Sequence, residues 1–420
     1  MIVVMKICKI SIFEEKDLCA AMITELKKRF VRKIKLGVLA FFEFLGAFSK
    51  QIILFESYPD FDGSPWMIYQ ELKNRGYEKK YRLVWAVDKS LVPPKKIECI
   101  PFFGNISLYD RFRRFRYKVI TKLIIDSNRY IEKTSLKTFR LHTRHGGTLK
   151  RVDQYSHAIG KIDYILSLSS EMACLESSVV YKGAGLDREQ FLPLGYPNND
   201  RLFIPLDQSV IRPWEYDCNN VRYKKIIGWM PTFRRHKFGH RVDCSKKFPF
   251  GVPLLYQREA FEKLNDFLKE KGVLLALKIH HAQLDDFPKV NFSNIKIIPQ
   301  DLLSKLNVSM MDLIKSFDAL ITDYSSIYHE YLLLNRPIAL TIDDFEEYSA
   351  GTGFSIDYFE WIKGVYLNDV SDLTRFVDEV SENIDSAKNE RNLALHRIHA
   401  FVDNQSTKRV VDFLAEKIPL

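Results

Sequence analysis

The sequence predicts an α/β chain of two doubly wound domains, each a parallel sheet covered by helices. Three observations carry that reading. From residue 50 onward, short apolar β-type runs alternate with amphipathic stretches, the grammar of repeated βαβ units. One stretch without a sustained period splits these runs into two series. The length, 420 residues, exceeds what one domain of about 100–200 residues uses and suits two domains or three.

The elements follow in chain order. Residues 27–50, KKRFVRKIKLGVLAFFEFLGAFSK, join a basic block to an apolar run. That run is shorter than the ~20 residues a membrane-spanning helix needs, and Glu43 interrupts it. Two readings of segment 1–49 stand side by side: a basic amphipathic helix on an anionic membrane surface, or a first core helix with a charged N-terminal turn. The first series, within 50–205, has KQIILFES, YRLVWAVD, TKLIIDS and DYILSLSS as buried strands, and SPWMIYQELKNRG as a helix ending at Gly76. The connection YPNNDRLFIPLDQSVIRPWEYDCNN holds three prolines, and the linker is placed at 206–222. The second series, 223–390, runs through KKIIGWMPTF, VLLALKIHH, NIKIIP, DALITDYSS and PIALTIDD, with helical patterns at 256–271, 301–317 and 326–335 between them. The charged end of the chain, including 391–420, reads as helices.

Charge and cysteine usage narrow the function. Lys and Arg number 63 against 53 acidic residues, a net charge of +10, which favours an anionic partner: nucleic acid, a phosphorylated substrate or a membrane face. No zinc-finger, RNP or helix-turn-helix pattern is present, so no nucleic-acid partner is expected. The six cysteines are scattered without a C-x-x-C pair, which implies reduced thiols, a cytoplasmic location and no structural zinc. The start, MIVVMKICKISIFEEKD, does not read as a secretory signal.

Ligands of open parallel sheets bind beyond the carboxyl ends of the strands, and four such positions are chemically unusual here. In LHTRHGGTLKRVD, His145 is followed by Gly146 and Gly147, which permit a tight turn or close backbone approach, and by Lys150 and Arg151. A histidine so placed can take a proton from a hydroxyl beside a phosphate; a turn histidine in a basic loop is the plain alternative. In GWMPTFRRHKFGH, Thr232, Arg234 and Arg235 offer a hydroxyl and forked guanidiniums suited to phosphate. His236 and His240 have helical metal spacing, but no helix pattern or carboxylate completes a site. In LALKIHHAQ, alternation puts Lys278 and His280 on one face, a cationic strand end suited to a diphosphate. In ITDYSSIYHE, Thr322, Asp323, Ser325 and Ser326 precede a helix, where unsatisfied N–H groups favour an anion; an ordinary helix cap is the alternative.

Taken in order, the segments ILFESYPDFDGSPWMIYQEL, RHGGTLKRV, LPLGYPNNDRLF, WMPTFRRH, LKIHH, ITDYSSIYHEYLLLNRPIAL and DDFEEYSAGTGFSIDYFE resemble the CDP-glycerol glycerophosphotransferase family, which includes teichoic acid primases and polymerases. The resemblance implies a GT-B architecture, two Rossmann-like domains facing a cleft, with the nucleotide held mainly by the second. It implies transfer of a polyol phosphate from a CDP-activated donor such as CDP-glycerol to a hydroxyl of a lipid-linked glycan or polyol-phosphate acceptor, with CMP released and no tightly bound cofactor or metal. On that template His145 and His280 are the catalytic histidines, matching the W-H-G-T-P-L-K and K-L-H-P motifs. Gly146, Lys150, Asn199, Asp200, Thr232, Arg234, Lys278, Thr322, Asp323, Ser325 and Ser326 are the substrate-binding residues. A protein of this kind is expected on the inner face of the cell membrane, making teichoic acid or capsule. The chain departs from the motifs at Arg144, where the family has tryptophan, at Gly147–Thr148 and at His281, and its P-R-N-D pattern reads Pro197-Asn198-Asn199-Asp200. Two other functions share the architecture or the basic N-terminus: a GT-B glycosyltransferase using a sugar nucleotide, and a non-catalytic membrane-surface scaffold.

Overall fold

The computed structural model describes residue 37 and residues 51–92, 94–135, 137–144, 146–150, 162–205, 222–232, 252–279, 292–299, 302–306 and 308–419. Segment 1–49 apart from residue 37, linker residues 206–221, and His145, Arg151, Arg234, Arg235, His236, His240, His280 and His281 lie outside the described residues.

The strands of the first sheet are β1 Ile52–Phe55, β2 Arg82–Asp88, β3 Glu98–Phe103, β4 Thr121–Asp126, β5 Phe139–His142, β6 Tyr164–Leu166 and β7 Phe191–Leu192, in the order β3-β2-β1-β4-β5-β6-β7. Those of the second are β8 Lys225–Trp229, β9 Val273–Leu277, β10 Ile295–Ile297, β11 Ala319–Thr322, β12 Ile338–Thr341 and β13 Val365–Leu367, in the order β10-β9-β8-β11-β12-β13. The second sheet is parallel throughout. By packing, the described residues divide into two units: one holds the chain up to Phe55 with Glu78–Ile124 and Ile131–Arg140, and the other holds Glu56–Tyr77, Ile125–Tyr130 and the chain from Leu141.

In the first unit β1 pairs with β2 from Ile52↔Arg82 to Phe55↔Trp85, and β2 pairs with β3, both parallel. Alternate residues Ile52, Leu54, Val84, Ala86, Ile100 and Phe102 form one buried face, closed by Ile124 and Ile131, as the two-residue period of a strand requires. β3 contains Pro101, which cannot donate to a ladder, and it sits at the sheet edge where that loss is tolerated. Helix α2, Leu108–Ile120, follows it and starts at Ser107, whose hydroxyl accepts from the Asp110 N–H.

In the second unit helix α1, Gly63–Asn74, and helix α3, Ser170–Leu175, belong to the first series. The second series supplies α4 Arg258–Lys271, α5 Leu302–Leu306, α6 Met310–Lys315, α7 Ile327–Leu332, α8 Phe345–Gly351, α9 Tyr358–Trp361 and α10 Val370–Ser381. Helices α11 Lys388–Ile398 and α12 Ser406–Lys417 end the chain. Ile227, Trp229, Leu275, Leu277, Ala319 and Ile321 of the sheet bury against Phe261, Leu264 and Leu268 of α4 and Leu373, Phe376 and Val377 of α10. Because adjacent strands β9, β8 and β11 run parallel, Lys278, Thr232 and Asp323 emerge at one end of the sheet. Among the described residues no helix is long and apolar enough to cross a membrane.

Candidate active site

The segment after β5 is fixed by buried polar contacts rather than by apolar packing. His142 Nδ1 donates to Asp126 Oδ1 at 2.8 Å, and the Thr143 N–H donates to the Asp126 carbonyl at 2.7 Å. Arg144 then takes a left-handed backbone, φ +60°, which a non-glycine residue adopts only when its surroundings compensate. They do so here: the buried guanidinium gives Nη1 to Glu176 Oε1 at 2.5 Å and Nη2 to the Thr148 hydroxyl, which itself donates to Glu176 at 3.1 Å. It also lies 5.5 Å from the centre of the Tyr181 ring. Burial works against the Arg144 charge, and Glu176 together with the surrounding Tyr181, Tyr196 and Tyr130 more than offsets it, so the guanidinium is held firmly protonated.

Beyond Arg144 the chain crosses the start of α7 at close range. Gly146 has φ +106°, and a Cβ placed on it would lie 2.6 Å from Ser326 Oγ. A Cβ on Gly147 would lie 2.6 Å from the His329 ring. The glycines noted in the sequence thus bring backbone against Ser326 and His329, which no side chain there permits. Gly146→Ala is expected to cost more than about 1 kcal/mol of stability and to displace Ser326, with turnover falling more than stability; unaltered turnover would disprove the shared wall.

A cavity of about 300 Å³ opens at this crossing, lined by Asn128, Tyr130, His142, Arg144, Gly146–Lys150, Tyr181 and Tyr324–Ser326. Of the residues expected to bind substrate, Gly146, Lys150, Ser325 and Ser326 meet in it. Ser326 is the residue before α7, but its backbone is helical and its hydroxyl makes no capping hydrogen bond, so the ordinary cap does not account for it. The remaining described residues of that set do not line it. Asp323 is buried and accepts the Thr232 N–H at 2.9 Å and the Thr232 hydroxyl at 2.6 Å, fastening the end of β11 to the segment after β8. The Thr322 hydroxyl donates to the Met230 carbonyl at 2.9 Å in the same seam. Asp200 accepts the N–H groups of Ser406 at 2.9 Å and Thr407 at 2.7 Å, and so holds the start of α12; Asn199 is buried in the same 3-10 turn. Lys278 is half-buried just past β9, and burial pushes its ammonium down from the ordinary lysine range.

Several residues of the site carried no sequence signal of their own. Glu56, at the end of β1, accepts N–H groups of Ser127, Asn128 and Arg129 at 3.2, 3.1 and 3.0 Å and shapes the turn that delivers Asn128 and Tyr130. Tyr324 is buried with its hydroxyl on Asp344 at 2.9 Å and its ring against Tyr348, Phe354 and Tyr358. The segment around Phe354 also reaches the glycine loop, pairing antiparallel with Lys150 while the Ser355 N–H donates to the Leu149 carbonyl at 3.0 Å. The motif DDFEEYSAGTGFSIDYFE is therefore an aromatic box around Tyr324. Among the described residues no three His, Cys, Asp or Glu side chains gather as metal ligands.

Behind the cavity, three buried titratable groups pull stability in opposite directions. Glu330 Oε1 lies 3.9 Å from the Cβ position of Gly146, and burial pushes its carboxyl up to about 7. The unfolded chain therefore gives up a proton that the folded chain keeps between about pH 4.5 and 7, and stability falls as pH rises through that window. Burial lowers His329 to about 3, helped by His399, and lowers His399 to about 4. Both are neutral in the fold, so their contribution is lost as pH falls below the ordinary histidine value of about 6.5. Glu330→Gln is expected to raise the unfolding free energy at pH 8 by about 2–3 kcal/mol, with the gain shrinking toward pH 5. Denaturant titrations at the two values check this, and an equal gain at both would refute it.

Comparison with known proteins follows the same lines. The family model described as CDP-glycerol:poly(glycerophosphate) glycerophosphotransferase matches residues 38–416. The chain is 24% identical over 407 residues to a teichoic acid poly(glycerol phosphate) polymerase of Bacillus spizizenii, covering 87% of this chain and 92% of that one. It is 27% identical over 286 residues to a teichoic acid glycerol-phosphate primase of Bacillus subtilis, covering 68% and 66%. Among solved structures, a variant of the wall teichoic acid polymerase TagF superposes with a TM-score of 0.68 at 20% identity, over 88% of this chain and 90% of that one. That likeness shows the expected GT-B fold, with two parallel sheets in a mixed α/β chain. Matched by the family model over nearly its whole length, the chain belongs to the CDP-glycerol:poly(glycerophosphate) glycerophosphotransferase family.

Proposed function

We propose that the chain transfers glycerol phosphate, or a related polyol phosphate, from a CDP-activated donor to a hydroxyl of a lipid-linked acceptor in teichoic acid or capsule synthesis. The observation that carries the reading is the meeting of Gly146, Lys150, Ser325 and Ser326 around one cavity, although they come from two distant segments of the chain. Backbone N–H groups, hydroxyls and an ammonium are what a phosphate requires, and none of them is an acid that would repel it.

In the proposed step the acceptor oxygen attacks the β-phosphorus of the donor. A new oxygen–phosphorus bond forms, the bond from the β-phosphorus to the bridging oxygen breaks, and its electron pair leaves with CMP. His145 takes the acceptor proton. Lys278, His280 and Arg234 meet the charge on the phosphates, with the Ser325–Ser326 turn. A lysine whose ammonium is already lowered by burial is stabilised when an anion arrives, and that strengthens the attraction at the bound state. Thr232, Thr322, Asp323 and Asp200 position these groups rather than touch substrate, their side chains being engaged with protein, and Asn199 remains a substrate-binding residue. Residues 50–205 serve as the acceptor-side half and 223–390 as the nucleotide-side half, and the enzyme works at the inner membrane face with segment 1–49 against the lipid.

Donor choice is tested without knowing the acceptor, by melting the protein with CDP-glycerol, CDP-ribitol, CDP, UDP and GDP. A ligand at 100 times its Kd stabilises the native state by about 2.7 kcal/mol, a shift of about 2–4 °C. The expected result is a shift with cytidine ligands alone, the larger polyol effect naming the donor. A shift with UDP or GDP alone would replace the reading with a sugar-nucleotide glycosyltransferase.

A further inference from the structure

We propose that the outward face of α2 is a docking surface for an anionic lipid bilayer, into whose headgroup layer its apolar side chains settle. From Leu108 to Phe115 the helix turns its large apolar side chains outward. Leu108, Tyr109, Phe112 and Phe115 are 82, 70, 67 and 42% exposed. Leu108, Phe112 and Phe115 follow i, i+4, i+7 spacing and so share one stripe.

Three polar residues, Asp110, Arg114 and Tyr117, turn the other way. Asp110 is buried, accepts from the Ser107 hydroxyl at 2.7 Å and pairs with Lys89 at 3.4 Å. Arg114 donates to the Phe102 carbonyl at 2.9 Å and lies over the Phe102 ring. The Tyr117 hydroxyl donates to Glu98 at 3.2 Å. The helix is thus held to its own unit at its C-terminal end by buried Val119 and by Tyr117 and Ile120 against the core, and elsewhere through charges and hydroxyls. Leu108, Tyr109, Phe112 and Phe115 are given to water, the reverse of what burial favours. Apolar side chains exposed as a stripe, not singly, mark a surface that something covers.

Charge complementarity names what covers it. Arg111, Arg113, Arg114, Arg116 and Lys118 stand in this helix against one acid, Asp110, which is turned inward. At 100° per residue, Arg111 falls on one side of the stripe and Arg116 on the other, and both are exposed. An apolar row with cations along both edges fits a plane of phosphates lying over acyl chains, and long arginine stems reach from one to the other. Its 13 residues are too few to span a bilayer, so the helix lies along the surface. The inference requires no particular reaction in the cavity.

Full-length protein is sedimented with vesicles of phosphatidylcholine alone and of phosphatidylcholine mixed with phosphatidylglycerol. Wild type is expected to bind the anionic vesicles, less so at high salt. L108Q/F112Q and R111E/R116E should each weaken that binding by roughly tenfold or more with the melting temperature unchanged, since all four positions are exposed. In F112W, bromine in the acyl chains of anionic vesicles should quench fluorescence beyond the wild-type level. Contact made only by segment 1–49 would leave that extra quenching absent and both double variants bound like wild type, which would overturn the proposal. So would a wild type that fails to bind, or an L108Q/F112Q variant that loses self-association while still binding vesicles.

Discussion

Glu176→Ala is expected to lower the unfolding free energy by about 3–5 kcal/mol, because it leaves the Arg144 guanidinium buried without its counterion. The pair is almost wholly withdrawn from water, at 8% and 0% side-chain exposure, so no solvent replaces the lost carboxylate. Arg144→Met with Glu176→Leu should restore most of the loss, since removing both charges also removes the cost of burying them. Urea titration of the three proteins decides it: equal midpoints for wild type and Glu176→Ala would mean that the pair contributes nothing. Arg144 stands where the resemblance has tryptophan, and Glu176 and Thr148 are the partners that make a buried cation tolerable there.

His145→Ala is expected to reduce the rate of CMP release by about 10²–10⁴-fold, the usual contribution of a positioned general base, while the melting temperature stays within the error of the measurement. His280→Ala should act on the same scale through the charge of the departing phosphate. Turnover near wild type in either variant, with CDP-glycerol as donor, would remove that histidine from the proposed step.

Much of the fold was legible because buried parallel strands write themselves as apolar runs. IILF, LVWAV, KIIGW, VLLAL and IALT all fall in strands. β3 was not legible, since ECIPFF carries a proline and a half-exposed edge pattern. Helix α2 escaped for another reason: Leu108, Tyr109, Phe112 and Phe115 face outward and only its last turn packs apolar residues inward, so its pattern does not point to the core that periodicity reasoning seeks. For the candidate site, the glycines and the paired serines were visible as residue types out of place at strand ends. Their partners were not, because Glu56, Glu176 and Glu330 act through backbone or buried contacts that depend on the tertiary path. Asp323 and Asp200 show the converse: carboxylates conspicuous in sequence that spend their oxygens on the protein itself.

The aromatic box around Tyr324 has a consequence for specificity. The hydroxyls of Ser325 and Ser326 inherit their position from a ring clasped by Tyr348, Phe354 and Tyr358, and the same segment steadies Lys150 through its pairing with Phe354. Exchanges in that stretch would move Ser325–Ser326 and Lys150 together without replacing any of them. With the donor bound in this cavity as proposed, exchanges in residues 343–358 are expected to alter donor preference without any change to the glycines or serines themselves.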